Sequence, residues 1–222
     1  MNDFLMRSAG PDDLDELVRL EKAVEQRLPN RDMFATDDRD FYEPIIEGAG
    51  HILLAFDGEN KLAGASVIRF PAPDDPENLG RSMSLPESAL TDVRHLESVF
   101  VRPDIRGKGL AERLIRENMR LTEHCGHTIS MATVWPGNAA SLRLHVRLGL
   151  YLRGFALKYG GKPRYILMSG GTPAKDAEPE LADALDTARN CALLKAGLAG
   201  TAVRPLPDGE HAAVEYRTLI FS

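Results

Sequence analysis

The chain has 222 residues and 24.4 kDa, with 43% hydrophobic and 27% charged residues, the makeup of an ordinary soluble domain long enough to bury a full core unaided. A formal net charge of −6 argues against a general nucleic-acid binder, and no run approaches the ~18 apolar residues of a membrane span. The opening MNDFLMRSAG lacks the basic and apolar regions of a secretory signal, and two isolated cysteines, Cys125 and Cys191, predict a cytoplasmic setting without a disulfide framework.

In chain order, residues 4–7 read as a first strand. Asp12 or Asp13 can cap a helix in which Leu14, Leu17, Val18, Val24 and Leu28 recur at helical spacing, ended by Pro29-Asn30. Residues 36–47 form an acidic helix interrupted near Pro44. Residues 51–56 and 61–70 form a hairpin across Asp57-Gly58-Glu59-Asn60. Residues 71–93, with Pro71, Pro73, Pro76, Gly80 and Pro86, read as a long loop. Residues 94–101 are a strand that feeds a helix from 110 to about 124, with Leu110, Ala111, Leu114, Ile115, Asn118 and Met119 on one face. A strand over 128–135, a helix over 138–148 ended by Gly149, and a hairpin of 151–158 with 164–168 follow. Residues 169–180 read as a linker, 181–196 as a helix and 212–221 as a terminal strand. No internal repeat is present.

The most informative stretch joins the strand at 94–101 to its helix: Arg106-Gly107-Lys108-Gly109-Leu110-Ala111. Glycines let a ligand approach the backbone, and a helix N-terminus presents free N–H groups and partial positive charge, so the segment is an anion site. It is not a P-loop, because no Gly lies five residues before Gly-Lys and no Ser or Thr follows Lys108. It is not a dinucleotide fingerprint, because Glu112 stands where the third Gly is needed. What remains is R-x-x-G-x-A after V-x-P. This resembles the coenzyme-A motif of the GNAT acetyltransferases, Q/R-x-x-G-x-G/A, with Arg106, Gly109 and Ala111 at its three positions.

The element order β-α-α-β-β-β-α-β-α-β-β resembles the GNAT core over residues 3–168. The resemblance implies an α/β (α+β) fold with a mixed, splayed central sheet flanked by helices, here with a C-terminal helix–strand extension. The expected domains are 1–168, a linker at 169–180, and 181–222 packing on the core or on a partner subunit. The resemblance also implies acetyl-CoA as co-substrate, held by Arg106, Gly107, Lys108, Gly109, Leu110 and Ala111. Phe100 and Val101 would offer main-chain bonds to the pantetheine, and the Val101 N–H would serve the oxyanion.

Glu97 is the candidate base. Strand alternation puts it on a face with Val99 and Val101, and a buried charge is costly unless paired. GNAT proteins often carry a carboxylate at this place; the alternative is a structural Glu paired to an Arg. His95, on the same face, is a second base candidate. In the helix after Asn138, the positions Asn138, Ser141 and His145 share one side with Leu142 and Leu148. The family pattern N-x-x-A-x-x-L-Y-x-x-x-G-F is met by Asn138, Leu144 and Gly149. Ser141 stands at the small residue, and His145 stands where the family has its Tyr acid. The resemblance implies that Asn138 and Ser141 bond the cofactor arm and that His145 is the acid, with a hydrogen-bonded core histidine as the alternative. His124-Cys125-Gly126-His127 has no second ligand pair at zinc spacing and reads as a helix end, so no metal is expected.

Residues 31–50 carry six acids against two arginines, and 71–93 five acids against Arg81. Two acidic segments near one mouth would attract a cationic amine; a solvated acidic surface is the alternative. The resulting expectation is a cytoplasmic N-acetyltransferase acting on a primary amine by direct attack in a ternary complex. It would use no membrane and no nucleic acid, and could be a homodimer. A non-catalytic acyl-CoA-binding domain and a longer acyl group remain as alternatives.

Overall fold

The computed structural model describes residues 4–33, 36–176, 178–206 and 212–221, so Ala177 of the expected linker lies outside the described residues. The chain divides into two compact units, residues 1–81 with 85–128, and residues 82–84 with 129–222.

In the first unit, strands β1 (Leu5–Ser8), β2 (Gly50–Phe56), β3 (Leu62–Arg69) and β4 (Val93–Val101) pair in that order, all antiparallel. The middle strands are almost continuously apolar because both faces are covered. On one face lie α1 (Leu14–Glu25) and α2 (Arg39–Pro44), whose Leu14, Leu17, Val24 and Tyr42 pack with Ile52, Leu54, Val67 and Phe100. The long segment after β3 holds two one-turn helices, α3 (Leu79–Ser82) and α4 (Glu87–Leu90). On the other face, Leu110 and Leu114 of α5 (Leu110–Leu121) meet Leu53, Ala55, Ala63 and Val101.

Asn118, on the apolar side of α5, is fully buried and ties the helix to the sheet. Its Nδ2 donates to the Ser66 carbonyl at 2.8 Å, and its Oδ1 lies 2.6 Å from His51 Nδ1. His51 Nε2 in turn lies 2.8 Å from Ser8 Oγ, so three strands and a helix share one polar network.

The second unit is built on the antiparallel sheet β5-β7-β6-β10-β11-β9. Its strands are β5 (Ile129–Val134), β6 (Leu150–Lys158), β7 (Lys162–Ser169), β9 (Glu180–Asp183), β10 (Ala199–Pro205) and β11 (Ala212–Arg217). A two-residue ribbon pairs β8 (Thr172–Pro173) with β12 (Leu219–Ile220). Helices α6 (Ala139–Arg147) and α7 (Thr187–Lys195) complete the unit.

The tail departs from the expected helix over 181–196. Leu181 is exposed and Ala182 buried, a strand alternation, and this stretch pairs with β11. The helix starts only after Asp186, whose side chain accepts the Arg189 N–H at 3.0 Å, and it closes at Gly197. A strand that the sequence reading did not draw, β10, follows. Gly200 lets β10 pass close to its neighbours: a Cβ there would stand 2.6 Å from Val214 Cγ1 and 2.9 Å from Leu152 Cβ.

Candidate active site

The loop before α5 folds as its glycines require. Gly107 and Gly109 have φ of 79° and 77°, a left-handed conformation that side chains disfavour, while a Cβ at either would meet nothing within 4 Å. These glycines therefore serve backbone shape rather than space. Gly109 caps the helix, and the first intrahelical bond runs from Arg113 N–H to the Gly109 carbonyl at 3.2 Å. The helix thus has no carbonyl of its own for the amides of its first turn, which are left to a ligand or to water. Arg106 and Lys108 are exposed, and among the described residues neither pairs with a carboxylate. Arg106 Nε reaches only the Val101 carbonyl, at 3.4 Å. Two unpaired cations at the positive end of a helix repel it and each other until an anion arrives, so the donor set fits a polyanion. Leu110 is buried and anchors the loop, while Ala111 is half-buried.

Phe100 and Val101 end β4. Arg102 N–H bonds the Ala63 carbonyl at 2.8 Å and Phe100 lies opposite Ala65, so by antiparallel alternation the amide of Val101 turns away from β3.

Glu97 sits at a break in the β3–β4 register. Val67 faces Ser98 and Ile68 faces Leu96, which leaves Glu97 as an extra, bulged residue. The bulge corrects the expected face: Glu97 does not line up with Val99 and Val101 on the α5 side but joins His95, Ser98 and Phe100 on the α1–α2 side. There Arg69 Nε donates to Glu97 Oε1 at 2.6 Å, while Arg69 Nη1 donates to Asp75 at 2.6 Å. His95 Nε2 accepts the Leu79 N–H at 3.0 Å, which leaves its proton on Nδ1, 3.2 Å from Glu97. Burial alone would raise the Glu97 pKa, but the bond from His95 and the Arg69 charge outweigh it and hold the carboxyl below the usual range. Glu97 is thus a well-held anion, and the His95 lone pair is already used.

A second polar group lies on the same side. Glu21 of α1 and Tyr42 of α2 are fully buried; among the described residues, Glu21 Oε1, Tyr42 Oη and Ser98 Oγ have no hydrogen-bond partner. Glu21 Oε2 accepts the Asp37 N–H at 3.3 Å. Burial, joined by the charges of Asp37 and Glu25, pushes Glu21 up to about 7 against the pull of that N–H. Burial, with Glu97 and Asp38 adding, pushes Asp37 up to about 6, opposed by Arg69.

In the second unit, Asn138 caps α6: its Oδ1 accepts the Ser141 N–H at 3.0 Å. His145 is buried one turn later. Its Nδ1 lies 2.9 Å from the Ser141 carbonyl, which can only accept, so the ring proton sits there; Ser141 Oγ is 3.3 Å away. Burial lowers the His145 pKa, with the Ser141 carbonyl opposing. The ring is neutral, and its one proton is committed to the helix.

Residues 14–150 match the Acetyltransferase (GNAT) family. The chain belongs to the GNAT acetyltransferase family. An L-methionine sulfoximine/L-methionine sulfone acetyltransferase of Pseudomonas aeruginosa is 40% identical over 65 residues, 29% of this chain and 38% of that relative. The L-amino acid N-acyltransferase MnaT of Escherichia coli is 40% identical over 52 residues, 23% of this chain and 30% of that relative. The chain thus spans less than half the length of the curated relatives it matches. Among solved structures, the yncA protein of Salmonella typhimurium, determined with its cofactor acetyl-CoA, superposes with a TM-score of 0.56 at 21% identity, covering 79% of this chain and 99% of that one. A ribosomal-protein-alanine N-acetyltransferase from Brucella melitensis gives 0.56 at 22%, covering 74% and 98%.

The residues expected from the GNAT resemblance fall in both units: Glu97, Phe100, Val101 and the loop through Ala111 in the first, Asn138, Ser141 and His145 in the second. Sequence reasoning missed Arg69, Glu21, Tyr42 and Ser98. Glu21 carried a signal, since it lies seven residues after Leu14 and four after Leu17, on the buried stripe of α1. Among the described residues no His, Cys, Asp and Glu group gathers as a metal site, and no helix is long and apolar enough to cross a membrane.

Proposed function

We propose that this chain is an acetyl-CoA-dependent N-acetyltransferase that moves an acetyl group to a primary amine by direct attack in a ternary complex. The observation that carries it is the glycine-shaped loop with Arg106 and Lys108 free of carboxylates at the N-terminus of α5, inside the GNAT-matched segment. Bound there, acetyl-CoA supplies an activated acetyl thioester. The loop amides and the two cations hold its phosphates. The Val101 N–H, turned away from β3, is the donor assigned to the acyl oxygen. Glu97, kept ionised by Arg69 and His95, holds the incoming ammonium. Asn138 keeps its Nδ2 hydrogens for the cofactor arm while Oδ1 caps α6. His145, its proton bound to the Ser141 carbonyl, positions that turn rather than donating to the leaving sulfur. Cys125 and Cys191 are free thiols outside these motifs, which supports direct transfer and a reducing, cytoplasmic setting.

The relatives' names make L-methionine sulfone the first amine to try. Titration calorimetry should show acetyl-CoA binding that Arg106→Glu weakens by about tenfold or more, since a charge-assisted phosphate contact is worth ~1.5–3 kcal/mol. Thiol release should then depend on an added amine. The state of His145 favours one second reading, acyl-CoA binding without turnover; binding without thiol release across an amine panel would select it.

A further inference from the structure

If Glu97 meets the acceptor ammonium, the groups around Glu97 decide what else the acceptor can carry. Arg69 is the cation at this place, and two carboxylates already share it. Its Nε donates to Glu97 Oε1 at 2.6 Å and its Nη1 to Asp75 Oδ2 at 2.6 Å. His95 gives its Nε2 lone pair to the Leu79 N–H, so with its one proton on Nδ1 the ring adds no charge. The cluster is left with one negative charge in excess. Glu97 is 18% exposed and Arg69 and Asp75 are 21% exposed. A ligand can reach such groups, and water screens them poorly.

Asp75 is fixed in this place by its surroundings. It lies in the turn after β3, and its other oxygen accepts the Glu77 N–H at 2.8 Å. The chain beyond it is tied back to β4 by the Leu79–His95 bond, and Asn78 Nδ2 holds the carbonyls of Ala72 and Leu90 at 3.2 and 3.3 Å. Arg81, the one cation within residues 71–93, is engaged elsewhere: its Nε donates to the Pro73 carbonyl at 2.8 Å and its Nη1 to Glu87 at 3.1 Å.

We propose that the acceptor is a primary amine with no carboxylate on the carbon that bears it, and that Asp75, by matching the charge of Arg69, selects against such a carboxylate. The proposal rests on the acetyltransferase reading above. An ammonium brings the cluster to neutrality. An α-amino acid brings the same ammonium together with a carboxylate on the next carbon, which then faces Glu97 and Asp75 with Arg69 already matched. Discrimination of this kind comes from repelling the wrong ligand as much as from holding the right one. The relatives are named for amino acids, and this chain departs from them in the charge its acceptor carries.

The test compares three acceptors with one side chain: L-methionine sulfone, its carboxamide, and the amine left when the carboxylate is removed. Each is assayed by thiol release with the full chain at saturating acetyl-CoA. Both carboxylate-free amines should exceed the amino acid in kcat/KM by about tenfold or more, chiefly through KM, and the gap should narrow at high salt. The carboxamide's amine is less basic than the amino acid's and the decarboxylated amine is more basic, so basicity cannot account for a gain in both. Asp75→Asn removes one charge and keeps the side chain's shape. In that variant, its fold checked by melting, the gap should shrink by about threefold or more. A gap unmoved in folded Asp75→Asn would overturn the role of Asp75. Wild-type protein that uses the amino acid as well as the carboxylate-free pair would overturn the whole inference and leave the acetyltransferase reading intact. Wild-type protein that releases no thiol with any amine would overturn both.

Discussion

Glu97 and Glu21 are carboxylates of one unit set to opposite ends of the titration range. Arg69 and His95 hold Glu97 as an anion, so under the proposed function Glu97→Gln should weaken ammonium binding: the amine KM should rise by about tenfold, the worth of one charge-assisted bond, with acetyl-CoA affinity little changed. Equal losses in kcat and kcat/KM would instead make it a transition-state group. Glu21 behaves the other way. Its folded pKa, about 7, lies above the ordinary 4.5, so the folded state binds its proton more tightly than the unfolded chain does. The stability it contributes is complete below pH 4.5 and is lost as pH rises toward 7. Urea melts of the wild type should therefore show a loss, relative to Glu21→Gln, on the order of 2–3 kcal/mol between about pH 4.5 and 8. Parallel pH dependences would refute this.

At the scale of elements, α5 and its loop were legible because their signals are local. Glycines, cations and an amphipathic face follow one another in the chain, and the left-handed φ of Gly109 answers to them directly. Gly109→Ala should destabilise the fold by about 1 kcal/mol, since alanine resists φ > 0, and should weaken acetyl-CoA binding; an unchanged melt would show that the turn relaxes at no cost. Strand β4 was harder. Its identity was plain from HLESVFV, but the bulge at Glu97 depends on the pairing with β3, and one extra residue moved the carboxylate to the other face. Asn118 shows the reverse case: helical spacing alone put it on the apolar side, where its network with His51 and Ser66 now lies. Asn118→Ala should strand both partners and cost ~1–3 kcal/mol in denaturant melts.

For the molecule as a whole, the GNAT core was readable because helical and strand periodicities alternate in a family order. The tail was not. A four-residue strand, a short helix and β10 have little periodicity of their own, and they gain stability only by pairing with β6 and β11. Tyr165 Oη donates to the Ala184 carbonyl at 2.7 Å and Tyr216 Oη to Asn190 Oδ1 at 2.5 Å, so the tail supplies buried partners to its unit. Removing residues 172–222 should lower the melting temperature by more than about 5 °C or abolish soluble expression; a truncated chain that melts like the full one would contradict this. The central claim, acetyl transfer from acetyl-CoA to an amine, is tested most directly by thiol release with L-methionine sulfone and a panel of primary amines. Amine-dependent release that falls sharply in Arg106→Glu is the predicted result, and release no faster with amine than without it, at saturating acetyl-CoA, would contradict it.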